Sequence, residues 1–210
     1  MCGLYAGKGA SVQHSFPGGV QSGRYRCGVG DRPSGHGTYY FIMARIMGAG
    51  KIIATDISDY KLELAKEFGA DITVNVLKTT EEERIALIKR ETHGRGADIV
   101  CECVGKPEVF PEGLKYLCKA GMYLEPGNFV ACGENPAIAV HEICANNLRI
   151  IGMTNHILDY QTVMGLMVRN KERFPWGKLF SHHFSVEEYE SAIKTSMTDK
   201  SMKVVIVPHK

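Results

Sequence analysis

Asp56 closes the run KIIATD and is the residue of this 210-residue sequence best placed to hold a ligand. A carboxylate at the carboxyl end of a strand, about 20 residues beyond a glycine turn, accepts both hydroxyls of an adenosine ribose. It also repels a 2′-phosphate, which favours NAD over NADP. A plain helix-capping aspartate would occupy the same place. Gly37 lies 19 residues earlier, inside GVGDRPSGHGTYY (residues 28–40), at the distance expected of the third glycine of G-x-G-x-x-G. The first two glycines of that motif would fall on Arg32 and Ser34. An arginine forbids the tight turn, and a serine keeps the backbone from approaching a pyrophosphate. No strand-like run precedes this stretch. Gly105, ending CECVG, and Gly127, in LEPGN, sit at further strand ends, where a missing side chain lets a flat ring approach the backbone; an ordinary turn glycine reads the same way.

Other chemistries find no pattern. The eight histidines show no HExxH and no Cys/His cluster with zinc spacing, so no metal ligand is assigned. No G-x-S-x-G elbow is present for a serine nucleophile. No tyrosine stands four residues before a lysine, and no catalytic residue is assigned.

The elements that would position Asp56 begin near Phe41. YYFIMARIM reads as an apolar helix stopped at GAG, and KIIATD as a buried strand. SDYKLELAKEFGA is a helix with Ser58 as cap and Gly69 as stop. DITVN is a strand, and TTEEERIALIKRETHG a helix whose early acids and late bases suit its dipole. ADIVCECVG is a strand and PEVFPEGLKYLCKAG a helix that Pro111 makes late or irregular; GMYLEPG and NLRIIGM are two more strands. Strands alternating with helices of this length imply right-handed crossovers and a doubly wound α/β domain on a parallel sheet, spanning residues 38–155. Residues 1–37 hold ten glycines, one acidic residue and no periodicity, and are expected to be irregular. Residues 156–210, with helices in LDYQTVMGLMVRN and SVEEYESAIKTSM and a strand in KVVIVP, break the alternation and belong to a second unit.

Composition narrows the partners. Apolar residues make up 44% of the chain and charged residues 23%, and the net charge is +2. That balance lacks the concentrated basic face of a nucleic-acid binder, so no nucleic-acid partner is expected. No apolar run approaches the roughly 18 residues of a membrane span, and the first residues lack the apolar centre of a signal peptide, so the expected location is cytoplasmic, with no membrane partner. Seven cysteines without a CxxC pair read as buried thiols in a reducing compartment, and Cys101 and Cys103 share one face of their strand.

Taken in order, four segments resemble the C-terminal half of the zinc-dependent medium-chain alcohol and polyol dehydrogenases, the sorbitol and threonine dehydrogenase branch included. They are ARIMGAGKIIATDISDYKLELAKEFGAD, THGRGADIVCECVG, GLKYLCKAGMYLEPGNF and FSHHFSVEEYESAIKTSMTDKSMKVVIVP, and they cover residues from about 41 to 208. The resemblance implies a Rossmann domain binding NAD and hydride transfer between a small alcohol or polyol and the nicotinamide. It implies that Asp56 holds the adenosine ribose, with Ile57 against the adenine and Lys61 near a ribose hydroxyl. Val104 and Gly105 would line the adenine side, and Gly127, Asn128 and Phe129 the nicotinamide half. Lys203 would reach the pyrophosphate, and Gly37 would stand in the phosphate turn. Residues 156–210 would return to the catalytic domain, and family members are homo-oligomers. The family's zinc ligands come from an N-terminal half with no counterpart in residues 1–37, so the expectation is an incomplete Rossmann sheet and a truncated dehydrogenase that lacks its zinc-binding half. The alternative is a non-catalytic, nucleotide-binding remnant. Back-translated with suitable synonymous codons and read one base later, RYRCGVGDRPSGHGT can yield an apolar strand and a glycine turn, which suggests a frameshift as the origin of residues 1–40.

Overall fold

A computed structural model describes residues 28–29, 36–127, 133, 135–152 and 160–208. The sheets are parallel throughout. Strand β1 (Gly28–Val29) pairs with β2 (Ile53–Asp56), and β2 with β3 (Ile72–Asn75), so that Gly28 faces Ala54 and Asp56 faces Asn75. Strand β4 (Ala97–Cys101) pairs with β5 (Leu117–Glu125), and β5 with β6 (Arg149–Gly152). β1 also lies against β4. Two three-stranded parallel sheets, β1–β3 and β4–β6, are thus set edge to edge at β1 and β4, which gives the strand succession 3-2-1-4-5-6 of a doubly wound domain, its order reversing between β1 and β4. The glycine-rich stretch, expected to follow no strand, supplies one from its own first two residues. Those two residues, Gly28–Val29, take the central position of the succession.

Helices cover both faces, as the alternation of side chains along the strands shows. Ile53, Val100 and Tyr123 point into one core with Ile88 of α3 (Glu81–Glu91) and with Phe110 and Leu114 of α4 (Val109–Tyr116). Their neighbours point the other way. Ala54 meets Phe41 of α1 (His36–Ile46) and Ala65 of α2 (Asp59–Glu67), while Ile99, Cys101, Met122 and Leu124 meet Tyr40 and Met47.

Local chemistry explains the helix limits. Ser58 accepts the Lys61 amide as the cap of α2, and Gly69, at φ +100°, ends its turn. Thr80 and Glu83 form a reciprocal capping box at the start of α3. α1 starts three residues ahead of the apolar run YYFIMARIM, with Gly37 in its first turn. In α4, Pro111 occupies the first turn, where an amide would lack a helical partner in any case. α4 stops at Tyr116, earlier than the sequence suggests, because Leu117 already pairs with Ala97; the next pair is Ile99 with Met122, and Ala120 takes φ +59° in the intervening bulge.

Besides β1, two elements were not expected from the sequence: α5 (Val140–Ala145) and β7 (Phe180–Ser185). β7 pairs in parallel with β8 (Lys203–Val207) as a separate two-stranded sheet. With α6 (Tyr160–Arg169) and α7 (Tyr189–Ser196) it makes up the C-terminal unit. That unit packs on the α1–α2 face: Val163, Phe174, Leu179 and Met202 share a core with Tyr39, Ile42, Met43, Leu64 and Phe68. The Ser58 hydroxyl donates to the Asp199 carbonyl at 2.9 Å, tying the loop before β8 to the start of α2.

Candidate nucleotide site

In an open parallel sheet, ligands bind beyond the carboxyl ends of the strands, at the point where strand order reverses. Here that point lies between β1 and β4, and the expected residues fall into two groups beside it.

The first group surrounds the end of β2. Asp56 is 7% exposed, and its Oδ1 accepts the Ser58 amide at 2.8 Å, which fixes the carboxylate at the strand's edge. The aspartate is thus not the helix cap, a role Ser58 takes, but braces the turn that leads into it. Ile57, beside it, is 41% exposed. Lys61, on the first turn of α2, is buried at 8% exposure. Asn75 donates to the Ile57 carbonyl at 3.1 Å and to Asp59 at 2.7 Å, so β3 braces this turn.

The second group spans the ends of β4 and β5. Val104 is buried, and Gly105 takes φ +74°. A side chain at Gly105 would place Cβ 2.6 Å from the Gly127 carbonyl oxygen, so two backbone loops touch here. One at Gly127 would place Cβ 2.5 Å from Glu102 Oε2. Gly37 stands apart from both groups, on α1, and Lys203 opens β8, four residues beyond the tethered Asp199. Asn128 and Phe129 lie outside the described residues.

Two acids that the sequence reading passed over hold the second group together. Glu102 follows β4 with no exposure at all. It accepts the amides of Val104 and, at 3.0 Å, of Gly105 on one oxygen. This back-turn ends the strand at Cys101, short of the expected CECVG. Glu125, the last residue of β5, accepts the Gly127 amide at 3.0 Å. Burial, then the hydrogen bond and charge of Glu125, push the Glu102 carboxyl up to about 8, against the pull of the two amides. The signal was present in the sequence: an acid interrupts an otherwise apolar strand in IVCECVG, and another closes MYLE.

Cys101 and Cys103 share a face, as expected, with their sulfurs 3.7 Å apart. Burial and then the Cys103 neighbour push the Cys101 thiol well up, so it stays protonated. Cys144, by contrast with the buried thiols expected, is exposed. Among the described residues, no three His, Cys, Asp or Glu side chains gather in a way that could hold a metal ion, so these residues do not fit zinc. No helix among them is long and apolar enough to cross a membrane.

Known proteins place this geometry. The family model described as zinc-binding dehydrogenase matches residues 35–175. The 5-exo-hydroxycamphor dehydrogenase of Pseudomonas putida is 32% identical over 169 residues, which cover 79% of this chain and 46% of that protein. The L-threonine 3-dehydrogenase of Bacillus subtilis is 28% identical over 170 residues, with the same shares covered. Among solved structures, an alcohol dehydrogenase of Thermotoga maritima superposes with a TM-score of 0.83 at 28% identity, covering 96% of this chain and 55% of that one. The chain thus spans about half the length of the relatives it matches. With parallel sheets in a doubly wound arrangement and a family match over residues 35–175, the chain belongs to the zinc-binding dehydrogenase family.

Proposed function

We infer that this chain is the cofactor-binding part of an NAD-dependent alcohol or polyol dehydrogenase. The observation that carries this reading is Asp56. It is a carboxylate fixed by the Ser58 amide at the edge of β2, next to the strand-order reversal and beside an exposed apolar residue, Ile57. Such a group accepts the 2′- and 3′-hydroxyls of an adenosine ribose, and its charge opposes a 2′-phosphate. The backbone of Gly105 and Gly127, bare of side chains and held by Glu102 and Glu125, suits a flat ring laid against the loops at the ends of β4 and β5. Bound there, NAD would supply the hydride acceptor for an alcohol.

In this reading Asp56, Ile57 and Lys61 bind the adenosine end, Val104 and Gly105 line its far side, and Gly127, Asn128 and Phe129 orient the nicotinamide half. Gly37 opens α1 where the phosphates would meet the helix N-terminus, and Lys203 offers them a cation. The alcohol substrate and homo-oligomer formation are proposed by likeness to relatives that include hydroxycamphor and threonine dehydrogenases, and no zinc is assigned to the described residues. Titrating the purified chain with NADH, followed by nicotinamide fluorescence, tests the reading. Saturable binding that is weaker for NADPH supports it. No binding at millimolar NADH overturns it, and binding without turnover of any alcohol marks a nucleotide-binding module.

A further inference from the structure

A buried carboxyl, Glu102, and a half-buried one, Glu125, meet at the carboxyl end of the sheet. Glu102 and Glu125 come from the ends of neighbouring strands and converge on Gly127: Glu125 accepts its amide at 3.0 Å, and Glu102 Oε2 lies where a Gly127 side chain would begin. Two carboxylates brought to one glycine repel, and a proton on one of them turns that repulsion into a hydrogen bond. Each also grips a loop: Glu102 holds the amides of Val104 and Gly105, and Glu125 holds that of Gly127. The loops interlock, because Gly105 packs on the Gly127 carbonyl and Gly127 packs on Glu102 Oε2. The remaining titratable neighbours are Tyr123 of β5, Cys101 of β4, Cys103 just beyond it, and Tyr40 of α1. Burial holds both tyrosines and the Cys101 thiol in their protonated, neutral forms, so none of these three offers the pair a charge in the neutral range.

We propose that Glu102 and Glu125 are positioning residues that share one proton, and that this proton clasps the 102–105 and 125–127 loops in the arrangement that receives the nicotinamide cofactor. Loss of the proton puts two negative charges in a buried space, and the loops separate. The native carboxyl holds its proton more tightly than the ordinary glutamate of the unfolded chain. The stabilisation is therefore complete at low pH and is lost as pH rises through about 8. Cofactor binding, which rests on the function inferred above, would follow the same proton.

The experiment measures urea unfolding and NADH affinity across pH for the wild-type chain, Glu102→Gln, Glu125→Gln and Cys103→Ser. For one proton, the wild-type folding constant is expected to fall about tenfold per pH unit between about 5 and 8, and the NADH affinity by about tenfold per unit above about 8. In Glu102→Gln the amide copies the protonated acid: its oxygen accepts the two loop amides and its NH2 donates to Glu125. This variant should stay folded and bind NADH with both slopes abolished, and Glu125→Gln should flatten them as well. Cys103→Ser should keep both slopes. A wild-type folding constant without the slope overturns the shared proton, whatever the NADH result. The same conclusion follows if the slope persists in Glu102→Gln or disappears in Cys103→Ser. A stability slope with NADH binding that ignores pH overturns the coupling to the cofactor. A stability slope with no NADH binding at any pH instead overturns the cofactor reading, and with it the second half of the proposal, while the shared proton stands.

Discussion

Replacing Gly105 by alanine tests the contact between the two glycine loops, and a second glycine calibrates it. Gly105 has φ +74°, and Gly94 has φ +80°. An added Cβ at Gly94 meets nothing within 4 Å, whereas at Gly105 it lands 2.6 Å from the Gly127 carbonyl oxygen and 3.1 Å from its carbon. The left-handed backbone costs alanine about 1 kcal/mol at either site. The entropy that alanine removes from the unfolded chain, roughly 0.5 kcal/mol in the stabilising direction, is the same for both and cancels in the difference. What remains at Gly105 is the overlap with a main-chain group that has no rotamer to escape into. Ordinary contact begins near 3.5 Å, so one loop must shift by nearly an ångström, at about 1–3 kcal/mol. Gly105→Ala should therefore cost about 2 kcal/mol more than Gly94→Ala, read as the difference in urea midpoints at equal slope. The shift also pulls the Gly105 amide from Glu102, which it now reaches at 3.0 Å, and NADH affinity should fall in Gly105→Ala while Gly94→Ala keeps it. Equal losses of stability in the two variants would refute the loop contact on which the site is built.

Three further expectations follow from other residues. Arg84 is enclosed by a two-pronged pair with Glu112, at 2.6 and 2.9 Å, and by the Thr79 carbonyl at 2.6 Å. Glu112→Ala should cost about 3–5 kcal/mol in chemical denaturation, and Arg84→Met with Glu112→Leu together should cost less than Glu112→Ala alone. Burial opposes ionisation of Glu112, but Arg84 and Tyr116 outweigh it and hold the carboxyl below its usual range. This part of the stability is therefore present above about pH 4.5 and is lost as acid is added through the lowered value. Asp56→Asn removes the charge but keeps an oxygen for the Ser58 amide, so fluorescence titrations should show weaker NADH binding and a smaller preference for NADH over NADPH. Thr80→Ala removes one half of the capping box on α3 and should lower the melting free energy by about 1 kcal/mol, with no change in NADH binding.

The regular part of the fold was legible in the sequence because its signals are local. Ser58 and Thr80 cap where the pattern places them, Gly69 stops α2, and the apolar runs from Ile53 to Leu124 give a parallel sheet with both faces covered. What escaped depends on distant partners. A two-residue strand at Gly28–Val29 has no periodicity to detect; its pairing with Ala54 and Thr55 defines it. β7 is half polar, with adjacent histidines, and becomes a strand because β8 lies beside it. Of the candidate site, the strand-end places of Asp56, Gly105 and Gly127 were readable from the apolar runs that precede them. Glu102 and Glu125 were visible only as acids in apolar runs, and the sequence does not say that β4 and β5 bring them face to face.

The core shared by α1, α2 and the C-terminal unit also bears on how the chain folds. Tyr39, Ile42 and Phe68 are closed in by Val163, Phe174, Leu179 and Met202, and Ser58 is closed in by the Asp199 carbonyl. During vectorial synthesis the first crossover leaves the ribosome well before these partners do. The α1–α2 face therefore stays open while more than a hundred further residues are made, and closing so long a loop carries an entropic cost that local contacts do not. In that interval the nascent sheet presents the apolar surface that holdase chaperones and neighbouring nascent chains recognise. The core on that face is therefore completed only when the segment around Leu179 and Met202 has been made, after every strand of the two three-stranded sheets.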